Sequence, residues 1–136
     1  MSLWNRILMI LAITCSVTTI SAYSTAAFAV EDKAGSRKAT GYTIEAIEKG
    51  IEETKKGSSA QEIKVYYFDA RQESKDITGE TVARDLQHGA DALFAVSRSL
   101  KVDDINRPLT TEEQQKTLEA WDEALKIFKN IQKKQH

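Results

Sequence analysis

Asp85-Leu86-Gln87-His88 is the pattern in this chain with the most chemistry in it. An acid and an imidazole three residues apart share one side of a helix, and acid-x-x-His pairs of this kind ligate metal ions inside helix bundles. A complete site of that type needs a second His-bearing pair and further carboxylates. Here the only other histidine, His136, is the last residue. Asp85 and His88 are therefore the candidate metal residues, suited at most to weak chelation of a divalent ion such as copper, nickel or zinc. No resident cofactor is expected. Helical geometry favours a plainer role, because His88 points about 130° away from the apolar seam of its own helix and so faces solvent.

Other chemistries fare worse. A hydrolytic triad needs a histidine between a nucleophile and an orienting acid, and one outward-facing internal histidine does not supply it. The six glycines are scattered, so no phosphate-cradling loop is present. Acidic clusters such as Glu45/Glu48/Glu52 and Glu119/Asp122/Glu123 read as solvated helix faces. A non-enzymatic chain is expected.

The first thirty residues differ from the rest. Arg6 is the only charge before Glu31, an apolar run follows from Ile7 to Ile13, and the segment closes on Ala27-Phe28-Ala29. A basic start, an apolar centre and a small-x-small end form a secretory signal peptide over residues 1–29, cut after Ala29. The product would be periplasmic or secreted, with no stable membrane span. An uncleaved anchor is disfavoured because the run fades into Thr18, Thr19, Ser21 and Ser24, short of the ~20 apolar residues a span requires. Lipidation of Cys15 is disfavoured by Ala12 and Thr14 upstream. Cleavage would leave 107 of the 136 residues, one domain's worth. It would also remove the single Cys and both Met residues, and with them thiolate catalysis, disulfides and soft-metal ligation. With 18 basic against 20 acidic residues remaining, the domain carries no field for nucleic acid.

Four helical segments follow a polar stretch, residues 30–39, which reads as a flexible lead-in to a domain at 40–136. Ile44, Ile47 and Ile51 stripe the first helix, and Lys55-Lys56-Gly57 stops it. Ser59-Ala60-Gln61-Glu62 is a capping box opening the second, whose core side is Ile63, Tyr66, Tyr67, Ala70, Ser74 and Ile77. After Thr78-Gly79, Val82, Leu86, Gly89, Leu93, Val96 and Leu100 form the seam of the third. Gly89 in that seam implies a close helix approach. A connection containing Pro108 leads to a second capping box, Thr110 with Glu113, and to Leu118, Trp121, Leu125 and Phe128. No strand pattern competes. The fold class expected is all-α, an up-down-up-down four-helix bundle, with a merger of the second and third helices as the alternative.

Three apolar residues fall off their core faces: Val65 and Phe68 on the second helix, and Phe94 on the third. They mark a partner or homodimer surface, or else a second helix buried on two sides.

The segment from Ile44 to Ser58, an Ala/Glu/Lys helix ending Lys55-Lys56-Gly57 before a tight turn, resembles the repeat of the small metal-binding proteins of the bacterial periplasm. Leu86-Gln87-His88-Gly89-Ala90 is similar too. The resemblance implies a signal peptide followed by a four-helix bundle that binds metal through many histidines. This chain keeps only His88 internally.

Overall fold

A computed structural model describes residues 33–135. The expected signal peptide, its cleavage point and His136 lie outside the described residues. Those described are all-helical: α1 (residues 33–55), α2 (Ala60–Ser74), a 3-10 turn (Glu80–Val82), α3 (Ala83–Ser99) and α4 (Thr111–Lys134). The nearest approach to sheet among them is an isolated bridge, Ser59 with Pro108. No helix among them is long and apolar enough to cross a membrane.

The helix ends follow local chemistry. Gly57 takes the left-handed conformation, φ 77°, that ends α1 at low cost. Ser59 and Thr110 each accept a hydrogen bond from the amide three residues on, while Glu62 and Glu113 accept from the cap amides. Gly79, at φ 130°, separates α2 from the 3-10 turn, so the two helices do not merge.

Residues 33–39 are not a flexible lead-in. They are already helical, and Ser36 and Ala39 are buried. The sequence signal is weak because the inward face of this turn carries small residues rather than large apolar ones. Its anchor is Ser36, whose hydroxyl donates to the Thr78 carbonyl (3.1 Å) and accepts from the Thr78 amide (3.0 Å) and Gln135 Nε2 (3.1 Å). One side chain thus ties α1 to the α2–α3 connection and to the end of α4.

The buried face of α1 is wider than its isoleucine stripe and holds several hydroxyl side chains. Thr40, Thr43 and Thr54 are fully buried, and each hydroxyl donates to the carbonyl four residues earlier, at 3.0, 2.7 and 2.7 Å. That local bond removes the cost of burying a hydroxyl. Gly50 and Thr54 make a notch, and Trp121 of α4 fills it. The indole is fully buried, its Nε1–H donates to Thr54 Oγ1 (3.1 Å), and a Cβ added at Gly50 would overlap the ring. Gln114 then donates to the last carbonyls of α1, Thr54 (2.8 Å) and Lys55 (3.2 Å). These pairs make α1 and α4 run in opposite directions.

A second notch serves α3. A Cβ at Gly89 would meet the Phe128 ring at 2.8 Å, the close approach its place in the seam implies. The Ser99 and Thr117 hydroxyls lie 2.9 Å apart, and Lys134 donates to Asp85 at 2.6 Å, so α3 and α4 are also antiparallel. The α4 seam is Thr117, Trp121, Ala124, Phe128 and Ile131. Leu118 and Leu125, expected on it, sit half-buried on its flank. The shift accompanies the two notches, which seat Trp121 and Phe128 on the face with the smaller Thr117 and Ala124 beside Trp121.

Gly50→Ala is expected to destabilise the domain by about 1–3 kcal/mol through overpacking against the indole. Gly41→Ala, in the same helix with open space around it, should instead stabilise by up to about 1 kcal/mol. Thr54→Val, which leaves the indole N–H buried without an acceptor, should cost about 1–3 kcal/mol. Urea unfolding followed by circular dichroism distinguishes the three. Equal stability of the two alanine variants would contradict the notch.

Candidate functional site

α2 is buried along Ala60, Ile63, Tyr67 and Ala70, a single stripe of three and four residue steps. Val65 and Phe68 project from the opposite side, 54% and 60% exposed, so α2 is not a helix buried on two sides. Phe94, 51% exposed, projects from α3 across the α2–α3 junction. Between the helices lies a groove of about 240 Å³, lined by Tyr67, Arg71 and Ser74 from α2 and by Ala90, Asp91, Leu93 and Phe94 from α3. A second depression along α2 is lined by Phe68, Asp69, Arg71, Gln72 and Lys75. Arg71 belongs to both and so joins the two aromatic positions.

The polar groups of this face are held in place. Arg71 donates to the Tyr67 hydroxyl at 3.2 Å, and the Tyr67 and Phe68 rings are tilted at 56° with centroids 5.3 Å apart. The Arg98 guanidinium lies over the Phe94 ring, 5.1 Å from its centroid, within cation–π range. Neither arginine was singled out in the sequence. The signal was there in the spacing, since Arg71 follows Tyr67 and Arg98 follows Phe94 by four residues each, which puts each guanidinium within reach of its aromatic partner.

Asp85 and His88 are placed differently. Asp85 is largely buried at its side chain and engaged by Lys134, whereas His88 is exposed. Among the described residues no group of three or more His, Cys, Asp or Glu side chains comes together in a way that could hold a metal ion.

The strongest electrostatic perturbation lies in the α3–α4 connection. Arg107 reaches Asp103 at 2.6 Å and Glu113 at 2.8 and 3.1 Å. The Arg107 hydrogen bonds and the Thr110 amide hold the Glu113 carboxyl down from 4.5 to about 2, and Arg107 itself is raised by Glu113 and Asp103. A perturbed carboxyl often signals catalysis, but here its partners are a helix cap and a loop arginine. The role is structural: the cluster fastens a connection whose backbone also accepts from Gln61 at Ile105 and donates from Leu109 to Ser58.

No family model, curated protein or solved structure matches the chain.

The Glu113 shift has a defined pH signature. A carboxyl held below its unfolded value stabilises the fold fully at neutral pH and loses that contribution as pH falls from about 4.5 through about 2. Glu113→Gln should therefore be less stable than the native chain near neutrality, with the gap closing toward the acid end of that window. Urea unfolding at several pH values checks this, and a gap that is constant with pH would contradict it.

Proposed function

We propose that this chain is a small exported, non-enzymatic protein that folds as an up-down-up-down four-helix bundle and works by binding a protein partner or a second copy of itself. The observation that carries the reading is the outer face of α2 and α3. Val65, Phe68 and Phe94 are three of the five large apolar side chains most exposed among the described residues; Phe94 lines the groove between α2 and α3, Phe68 lines the depression along α2, and Arg71 borders both. Apolar side chains scattered singly need no explanation, whereas a cluster around a concavity marks an interaction surface. Export rests on Arg6, the apolar run after it and the Ala27-x-Ala29 end. The bundle topology is supported by the antiparallel pairings of α4 with α1 and with α3, and by the short turn between α1 and α2.

Because Val65, Phe68 and Phe94 are exposed, replacing all three with Ser should change stability by no more than about 0.5 kcal/mol per site. The same variant should abolish association. The measurements are molar mass by light scattering across a concentration series, and photo-crosslinking from position 68 in the producing cell. A native chain that is monomeric throughout and yields no adduct would sink the proposal, as would adducts that survive in the triple-Ser variant. Amino-terminal sequencing of the exported product, expected to begin at Val30, tests the export signal separately.

A further inference from the structure

The charges on the outer side of α2 repeat every seven residues. Acids stand at Glu62, Asp69 and Asp76 and bases at Lys64 and Arg71, while Gln61, Val65, Phe68 and Gln72 run between them in steps of four, three and four. All are exposed except Lys64, which is partly so. At 100° per residue the four uncharged residues form one stripe, about 150° round the helix from the buried Ala60, Ile63, Tyr67 and Ala70. The acids line one edge of that stripe and the bases the other. This is the layout of a coiled-coil seam, with Val65 and Gln72 at a, Gln61 and Phe68 at d, acids at e and bases at g. Lys75 keeps right-handed helical angles (φ −64°, ψ −24°), so Asp76 extends the acidic edge.

Nothing within the domain uses this pattern. No residue of α2 enters any of the seven ion pairs found among the described residues. The spacing prevents it, because residues four apart are alike in sign, Asp69 with Glu73 and Arg71 with Lys75. Like charges so placed oppose the helix. Elsewhere Lys49 pairs with Glu45, Lys56 with Glu52 and Lys116 with Glu112 at that same spacing. Arg71 gives one donor to the Tyr67 hydroxyl, and Glu62 accepts from the Ser59 amide. Both keep capacity for a further partner.

A second copy of α2 satisfies the pattern in one orientation. In a parallel pair, each g position faces the e position five residues on in the other helix. Lys64 then meets Asp69 of the second copy and Arg71 meets its Asp76, each twice by symmetry. Val65 and Phe68 stack on their own copies, and the Gln61 and Gln72 amides pair at the two ends. An antiparallel copy sets bases against bases and acids against acids, and is opposed. Lys75 is the C-cap of α2, so the seam ends there and its long side chain turns to solvent. The 15 residues of α2 span about 22 Å, too short to hold free helices together. Here each helix is already folded in its bundle, so association carries no cost of ordering the backbone. The contact is smaller than the ~800 Å² per partner of a standard stable interface, and the dimer is accordingly weak and reversible.

We infer that two copies of this chain associate through α2, parallel and in register about a two-fold axis, with Val65 and Phe68 in the seam and Lys64–Asp69 and Arg71–Asp76 pairs across its edges. This rests on the partner-binding reading above and specifies the partner as a second copy.

The test uses the exported protein carrying Cys15→Ser, which leaves no native thiol, and one cysteine placed in the seam. Gln61→Cys and Gln72→Cys should each give a disulfide-linked dimer on mild oxidation, and a mixture of the two should give no product joining position 61 to position 72. Sedimentation equilibrium over a series reaching about 1 mM should show monomer passing into dimer. Lys64→Glu with Arg71→Glu makes both edges acidic, and Asp69→Lys with Asp76→Lys makes both basic. Each double variant alone should dimerise at least about tenfold more weakly than the unaltered chain, and the two mixed should regain its strength. A chain monomeric throughout, a disulfide that joins only position 61 to position 72, double variants that dimerise as well as the unaltered chain, or mixing without recovery would each overturn the inference. The broader reading fails separately: where the chain is monomeric and photo-crosslinking from position 68 still joins it to another protein in the cell, the face binds a partner and only the assignment to a second copy is wrong.

Discussion

Everything in the described domain is arranged around the indole of Trp121. It is the largest side chain in the interior and carries one polar group, an N–H that must be paired wherever the ring is buried. α1 meets both demands within one turn of helix. Gly50 gives the ring room, and Thr54 gives the N–H an acceptor while returning its own proton to the Gly50 carbonyl. The cost is a first helix poor in large apolar residues, which is why it needs α4 as much as α4 needs it. The bonds from Gln114 to the end of α1 and from Gln135 to Ser36 then fix the register of the two helices at both ends.

With α1 and α4 so joined, the other elements have little freedom. Phe128 lies two turns along α4 from Trp121 and enters the Gly89 notch of α3, which sets α3 antiparallel to α4. α2 buries the single stripe Ala60, Ile63, Tyr67 and Ala70, and its opposite side is exposed. The exposed Val65 and Phe68 follow from this placement. A helix with one face buried turns its remaining apolar residues outward whatever their hydrophobicity.

The parts of this arrangement legible in the sequence were those with a local physical cause. Both capping boxes, the Gly57 stop and the close approach at Gly89 are set by residues within a few positions of one another or by one glycine in an apolar seam. The outward placement of Val65, Phe68, Phe94 and His88 followed from helical angle alone. The start of α1 was illegible because its inward face is Ser, Ala and Thr, residues that bury only when a partner comes close and their hydroxyls find carbonyls. The α4 seam was displaced for the reverse reason: Leu118 and Leu125 are more hydrophobic than Thr117 and Ala124, but volume at the notches decides which of them lies inside. At the candidate surface the rings were readable, whereas Arg71 gained meaning only once the fold set it on the border of both depressions, and Arg98 once it lay over Phe94.

The two glycine notches also bear on the order in which the chain becomes structured. Both open toward α4, which follows α1 and α3 in the chain, and both receive its aromatic side chains. Until α4 is available, α1 and α3 carry recesses that nothing nearby in sequence can fill, and the contacts that close them span sixty residues or more in the case of α1. Contacts so distant in sequence form late, since the intervening chain must first be ordered. The domain is therefore built to remain open while it is being made and to close when its final helix arrives. That delay is written into two positions without side chains.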